Sequence, residues 1–439
     1  MSAGDRSASN LEAGITSDAT GGHGGAYRWY VLVLLMLVYT VHGMDRTIIN
    51  VLLEPIREEF GLSDSALGLL TGLGYALPFA LTGIPLGILV DRINRKRLLA
   101  ALITIWSGFT ALCGLAPSYG YLLASRMAVG ATESGSPPSA LALISDYFPA
   151  QIRSSAVSVF YIGAPTGAML GAYFGGLLTA SYGWRTALYV AAVPGFVLAA
   201  LLLLTVREPK RGQSDETVTR ENATFMDALR MARMPSHACL FAALIFGSLS
   251  SVGISSWIPA LLMRAYQMPV GDAGSLTALA GLIGMAGTAL GGILSDYYAK
   301  GRTEKLLFLA GFSHLICIPP FLYGLLFVDD IAAFAPLLFL WSFLHVIYFG
   351  PGFSLALGLT PASLRGRMMA LIFVLMNMLG AGMGPQIVGW VSDALTLAGD
   401  SASLRHAVAA LTVATFITGM LFLLARRWIK PGITEPVAC

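Results

Sequence analysis

The sequence predicts an all-α membrane protein of twelve transmembrane helices in two pseudo-symmetric six-helix bundles. Three observations predict it. The 439 residues are 56% hydrophobic and only 12% charged, about half the usual charge of a soluble domain, with a mean hydropathy of +0.72. The apolar residues fall in long runs near the ~20 residues a helix needs to cross a bilayer. Finally, short stretches of the first half recur in the second.

The runs place spans at about 29–52, 66–90, 98–116, 119–145, 154–180, 185–206, 238–264, 272–298, 304–327, 331–357, 366–392 and 404–428. A β-barrel would instead show alternating segments of about ten residues. Basic residues orient the spans. Arg92, Arg95, Lys96 and Arg97 follow span two, Arg153 follows span four, and six more follow span six. Lys300, Arg302 and Lys305 follow span eight, Arg365 and Arg367 follow span ten, and Arg426, Arg427 and Lys430 end the chain. The opposite loops hold only Arg57, Arg185, Arg264 and Arg405. By the positive-inside rule both termini are expected in the cytoplasm, in a plasma membrane or bacterial inner membrane.

Residues 1–28 are polar and Gly/Ser/Ala-rich, without the apolar core of a signal peptide, and are expected to form a disordered cytoplasmic tail. The first bundle is then 29–206, a linker covers 207–237, the second bundle 238–428, and a tail 429–439. Within the linker, TFMDALRMARM spaces Phe225, Met226, Leu229 and Ala232 as one helical face, with Thr224 and Asp227 placed as an N-cap and its N3 partner. A short amphipathic helix on the inner membrane surface follows. Cys113, Cys239, Cys317 and Cys439 lack any C-x-x-C spacing, so neither a disulfide framework nor a metal site is expected.

The repeat is visible in two places. Gly87-Ile-Leu-Val-Asp91 recurs as Gly292-Ile-Leu-Ser-Asp296, and Pro149-Ala-Gln-Ile-Arg153 as Pro361-Ala-Ser-Leu-Arg365, at nearly equal offsets. Internal duplication with a site at the interface is the pattern of secondary transporters. The segment GILVDRINRKR (87–97) resembles the loop signature of the major facilitator superfamily, with Asn94 where many members have Gly. That resemblance implies alternating access between two six-helix bundles, with Gly87, Asp91, Arg92, Arg95, Lys96 and, in the second half, Asp296 latching the closed cytoplasmic side. Span five carries Gly163, Gly167, Gly171 and Gly175 on one face, a spacing that lets two helices pack backbone to backbone. Gly380, Gly384, Pro385 and Gly389 form a looser counterpart in span eleven.

Ionisable residues inside the spans point to function. Each costs roughly 2.5–3.5 kcal/mol near the bilayer centre and defaults to a functional role. Asp45 and Arg46 sit in span one, Arg126 and Glu133 in span four. Arg126 and Glu133 share a helical face but lie about 10 Å apart along the axis, too far for a relaxed pair. Asp45 and Arg46 differ by about 100° around theirs. Depth counting pairs Asp45 with Arg126 and sends Arg46 toward Glu133, with His42 on the same side. The competing reading is a structural ion-pair cluster stapling one bundle. If all four are charged the cluster is neutral, and protonating either carboxylate leaves a site attractive to an anion. Burial favours the neutral carboxyl and a nearby arginine the charged one. An anion arriving at the arginine weakens the second effect, which is a physical route to proton coupling.

The second half lacks mid-depth carboxylates and is rich in Phe and Met, including Met368, Met369, Met376, Met378 and Met383. Trp257, His345, Tyr348 and Asn377 are its candidate substrate contacts, alongside Arg46, Arg126 and His42. A cavity charged on one wall and pliably apolar on the other suits an amphipathic anion.

Taken together, MDR (44–46), VDRINRK (90–96), RMAVGATESGSPPSALALISDYF (126–148), RSSAVSVFYIGAPTGAMLG (153–171) and VREPKRG (206–212) look like the Spinster family of that superfamily. Its animal members export sphingosine-1-phosphate or lysophospholipids. The resemblance implies Asp45 as a protonation site and Arg46 with Glu133 as gate and headgroup contacts, and the short loops look bacterial. The expected function is proton-coupled transport of a lysolipid-like or sphingoid-phosphate-like anion, with Asp45 and Glu133 handling protons. The alternative is transport of small hydrophilic organic anions or sugar phosphates. An enzyme is not expected, because H-E-x-x-H and G-x-S-x-G are absent. The chain is expected to need no cofactor beyond a proton gradient, to bind no nucleic acid, and to act as a monomer in the bilayer.

Overall fold

The computed structural model describes residues 25–210, 224–300, 302–361 and 363–429. Among the described residues, eleven helical segments are long and apolar enough to cross a membrane. The twelfth crossing, span four, is split into Tyr119–Glu133 and Ser136–Tyr147. Pro137 and Pro138 lack amide hydrogens, so the carbonyls of Glu133 and Ser134 lose their intrahelical donors and the helix is interrupted there.

The N-terminal reading needs one correction. Residues 1–24 lie outside the described set, but span one already runs from Gly25 to Val51. Aromatic residues anchor its start: Tyr27 Oη donates to the Thr205 carbonyl at 2.9 Å and Tyr30 Oη meets Thr205 Oγ1 at 2.7 Å. Leu53–Phe60 continues span one, and span two follows as Asp64–Thr71 and Leu73–Arg92. Spans three, five and six are Arg95–Gly114, Ala150–Tyr182 and Trp184–Thr205. In the linker, Phe225–Ala232 is a helix closed by a reciprocal Thr224–Asp227 capping box. The remaining tail, from Lys430, is outside the described residues.

The second bundle begins with spans seven and eight, Pro235–Ala265 and Val270–Leu294, the latter ending in a π-helical turn, Ser295–Ala299. Span nine is Thr303–Phe327, and span ten is Ile331–Leu344 followed by Phe349–Gly358. Span eleven runs Arg365–Leu375, Met376–Gly382 and Met383–Leu397, its middle piece again π-helical, and span twelve is Ser403–Leu424. Both π-helical segments hold residues singled out above, Asp296 and Asn377, in keeping with the tendency of such turns to mark functional positions.

The glycine face of span five meets span one. A Cβ on Gly163 would sit 2.5 Å from the Met36 carbonyl oxygen and one on Gly171 2.7 Å from that of Met44, while at Gly167 it would collide with the Thr40 carbonyl. The two bundles touch on the side away from the termini, called here the far side. There a Cβ at Gly68 would press on the Pro385 carbonyl at 2.7 Å, and one at Gly274 on that of Ala172 at 2.6 Å.

Charge locks that side. Arg264, near the end of span seven, reaches Glu54 at 2.5 Å and grips Asp64 with two bonds of 2.9 and 2.8 Å. Ser392 Oγ donates to Asp64 at 2.6 Å, and Asp393 accepts the amides of Asp64 and Ser65, each at 2.9 Å. Outside the lock lies a vestibule of about 1010 Å³ bordered by Arg57, Asp393, Asp400 and Arg405.

The terminal side is unlatched. A Cβ at Gly87 or Gly292 would meet nothing within 4 Å. Asp91, Arg92 and Asp296 are exposed and form no ion pair among the described residues. Arg95 and Lys96 instead bind within their own bundle. Arg95 pairs with Asp146 and, at 3.0 Å, with Glu208, whose carboxylate also accepts the amides of Arg95 and Lys96. Lys96 Nζ donates to the Val206 carbonyl at 2.6 Å. The first half of the motif is thus free to latch, and the second half staples span three to the end of span six.

Candidate functional site

The intramembrane charges converge where spans one, two and four meet. Asp45 and Glu133 are 0% exposed, Arg126 is 3% exposed and His42 4%. The partner assignments made from depth alone need correcting. Asp45 makes no ion pair with Arg126: its Oδ2 accepts from Thr110 Oγ1 at 3.3 Å, on span three. Arg126 Nη2 donates instead to the Arg46 carbonyl at 3.3 Å. Arg46 does not reach Glu133; its Nη2 donates across the bundle interface to Asn377 Oδ1 at 3.2 Å. Glu133 takes its hydrogen bond from Tyr75 Oη at 2.5 Å. His42 Nδ1 approaches the same carboxylate oxygen to 3.4 Å while its ring stacks on Tyr39.

The reason is rotational. Asp45 and Arg46 diverge by about 100°, so Asp45 turns into the first bundle toward span three and Arg46 turns out toward span eleven. Arg126 and both carboxylates still share one electrostatic neighbourhood.

Tyr75 and Thr110 were not anticipated. Tyr75 is the hub of the cluster. Its ring carries the Arg46 guanidinium at 5.3 Å and that of Arg126 at 5.0 Å, both cation–π distances, while its hydroxyl holds Glu133. The available signal was a phenol within an otherwise apolar span, since a buried tyrosine hydroxyl usually finds a partner.

The second-half candidates divide. Asn377 faces the cluster, and its Nδ2 is steadied by the Phe373 carbonyl at 2.9 Å. Trp257, His345 and Tyr348 are packed inside the second bundle, away from Arg46. Trp257 Nε1 donates to the Pro385 carbonyl at 3.0 Å. His345 lies between Ser251 Oγ at 3.0 Å and the Trp341 carbonyl at 2.8 Å, stacked on the Trp341 ring. Tyr348 is fully buried and edge-on to His314. Trp257 and His345 spend their polar atoms within the bundle, and Tyr348 Oη is buried without a hydrogen-bond partner among the described residues, so the structure does not place them on a shared wall with the charges.

The cluster has spare bonding capacity. Asp45 Oδ1, Glu133 Oε1 and Arg126 Nε are buried without a hydrogen-bond partner among the described residues. Buried polar atoms normally are paired, so the carboxylate oxygens can accept a proton or a bond from water, and Arg126 Nε can donate to a water or an anionic oxygen. Among the described residues no His, Cys, Asp and Glu grouping suits a metal ion, and Cys113, Cys239 and Cys317 are buried and unpaired.

Residues 35–385 match the Major Facilitator Superfamily. An MFS-type efflux pump of Mycolicibacterium smegmatis is 30% identical over 427 residues, covering 97% of this chain and 99% of that protein. The sphingosine-1-phosphate transporter SPNS2 of Danio rerio is 34% identical over 236 residues, 51% of this chain and 45% of that one. Among solved structures, a bacterial homologue of the human lysosomal transporter Spinster, described as inward-facing and unoccupied, superposes with a TM-score of 0.85. It is 28% identical and covers 92% of this chain and 98% of its own. These likenesses, with the twelve crossings and the paired loop signatures, fix the lineage: the chain belongs to the major facilitator superfamily, is similar to Spinster proteins within it, and is a multi-pass membrane transporter rather than an enzyme.

Proposed function

We propose that this transporter moves an amphipathic anion, a lysolipid or sphingoid phosphate, and couples the movement to protons. The observation that carries the reading is the buried cluster itself. Two guanidiniums and two carboxylates, with partnerless atoms on both carboxylates, sit opposite the π-helical segment Met376–Gly382. Protonating Asp45 or Glu133 leaves a net positive site. A phosphate or carboxylate headgroup compensates that charge, and the Met-rich neighbourhood of span eleven accommodates an acyl or sphingoid chain.

Both termini are assigned to the cytoplasm of a bacterial inner membrane or plasma membrane by the excess of Lys and Arg on that side. With that orientation the far-side lock faces outward and the unlatched side inward. The conformation is then inward-facing.

Reconstitution into pH-clamped liposomes with a panel of lysolipids tests the reading. The wild type accumulates or releases lysolipid in response to an imposed proton gradient, whereas Asp45→Asn loses gradient-driven flux while remaining folded. Flux of water-soluble anions alone defeats the lipid assignment, and an Asp45→Asn variant that transports normally defeats the coupling role of Asp45.

A further inference from the structure

We infer that Tyr75 is the positioning residue through which the charge state of Glu133 controls the two arginines. The inference rests on the proton-coupled reading above and deepens it. Three contacts carry it. The Tyr75 hydroxyl donates to Glu133 at 2.5 Å. The guanidiniums of Arg46 and Arg126 lie 5.3 and 5.0 Å from the centroid of the same ring. Arg46 has a second, neutral partner on the opposite bundle, Asn377 at 3.2 Å.

The chemistry links these contacts. A phenol donating to an ionised carboxylate makes a charge-assisted bond, about twice as strong as a neutral one. That bond draws electron density into the ring and deepens the negative face on which cations sit. While Glu133 is charged, Tyr75 therefore holds both guanidiniums. When Glu133 takes a proton, the bond becomes neutral and the ring loses that enrichment. The carboxyl charge that balanced the arginines disappears at the same step. Arg46 and Arg126 are then freed toward an anionic headgroup. Release of substrate reverses the order. The hydroxyl keeps its own proton throughout; of this pair only Glu133 changes charge.

The surroundings are accounted for. Span one presents Tyr39, His42, Asp45 and Arg46, and span four presents Arg126 and Glu133 itself. Span three faces the group with Thr110 and Cys113, and span five contributes Tyr161 behind Tyr39. Span eleven adds the neutral Asn377. Among the described residues, Tyr75 alone touches both arginines and a carboxylate. Gly130 allows this, since a Cβ there would sit 2.5 Å from the Tyr75 carbonyl oxygen and 3.2 Å from its ring.

The test is Tyr75→Phe, which keeps the ring and removes the hydroxyl. Lysolipid counterflow without a gradient and gradient-driven flux are measured across a pH series in liposomes, with wild type and Glu133→Gln alongside. Wild type shows a one-proton dependence, about tenfold per pH unit away from its midpoint. In Tyr75→Phe that dependence flattens to less than about twofold, whatever counterflow rate the variant retains. The double variant Tyr75→Phe/Glu133→Gln behaves as Glu133→Gln alone, because the two residues act in series. A Tyr75→Phe protein with the wild-type pH profile overturns the inference and leaves proton coupling standing. A wild type without pH dependence overturns the coupling itself. If Tyr75→Phe is poorly folded, additive losses in the double variant overturn the series arrangement independently.

Discussion

At the scale of single residues, the site separates groups that look alike in sequence. Trp257 and Asn377 were both candidate substrate contacts, yet Trp257 is 0% exposed and spends its indole N–H on the Pro385 carbonyl, whereas Asn377 meets Arg46. Trp257→Phe keeps most of the volume but removes that hydrogen bond, a cost of about 0.5–1.5 kcal/mol. A lowered melting temperature with unchanged substrate affinity in a binding assay is the expected result; a loss of affinity with unchanged melting would return Trp257 to the site. The identities of the charged residues were legible from sequence because a charge in an apolar span stands out. Their partners were not. Depth along an axis can be counted, but which neighbour a side chain meets depends on rotation about the helix and on uncharged groups such as Tyr75 and Thr110.

At the scale of elements, the glycine spacing of span five read correctly as a backbone-to-backbone face, and the structure supplies its partner, span one. Gly167→Val would drive two methyls against the Thr40 carbonyl. Overpacking of this kind costs about 1–3 kcal/mol or more. The expected outcome is a lower midpoint in a detergent thermal melt and loss of transport, since span one carries His42, Asp45 and Arg46. A wild-type midpoint would show the two spans free to separate. The π-helical segments at Ser295–Ala299 and Met376–Gly382 were not legible. An extra residue in a helical turn leaves composition and periodicity almost untouched, and only the backbone reveals it.

At the scale of the whole molecule, the bundles are joined on one side by a charged lock and released on the other. Arg264 compensates both Glu54 and Asp64, which are 7% and 4% exposed. Removing it by Arg264→Ala leaves the two buried carboxylates with Arg57 and Ser392 as their remaining side-chain partners, and breaking such a network costs up to about 3–5 kcal/mol. The cost falls on the locked state, because opening returns both carboxylates to water. Spin labels at Ser63 and Ser401, on opposite rims of the vestibule, are expected to report a longer distance in the variant; an unchanged distance would assign the closure to the glycine contacts alone. The twelve-crossing plan was legible because hydropathy and the internal repeat are properties of the whole chain. The direction in which it stands open was not, because one sequence serves both states. The split fourth crossing bears on how the molecule is made. Its halves of 15 and 12 residues each fall short of the roughly 17–25 that bring a helix across unaided, and one half carries two charges. The charged groups of the first half meet Arg46, His42 and Tyr75, and Thr82 reaches the Ala131 carbonyl at 2.7 Å and Ser134 at 2.9 Å. All of these lie earlier in the chain. During synthesis the ribosome delivers the groups that satisfy the two charges before it delivers the charges themselves.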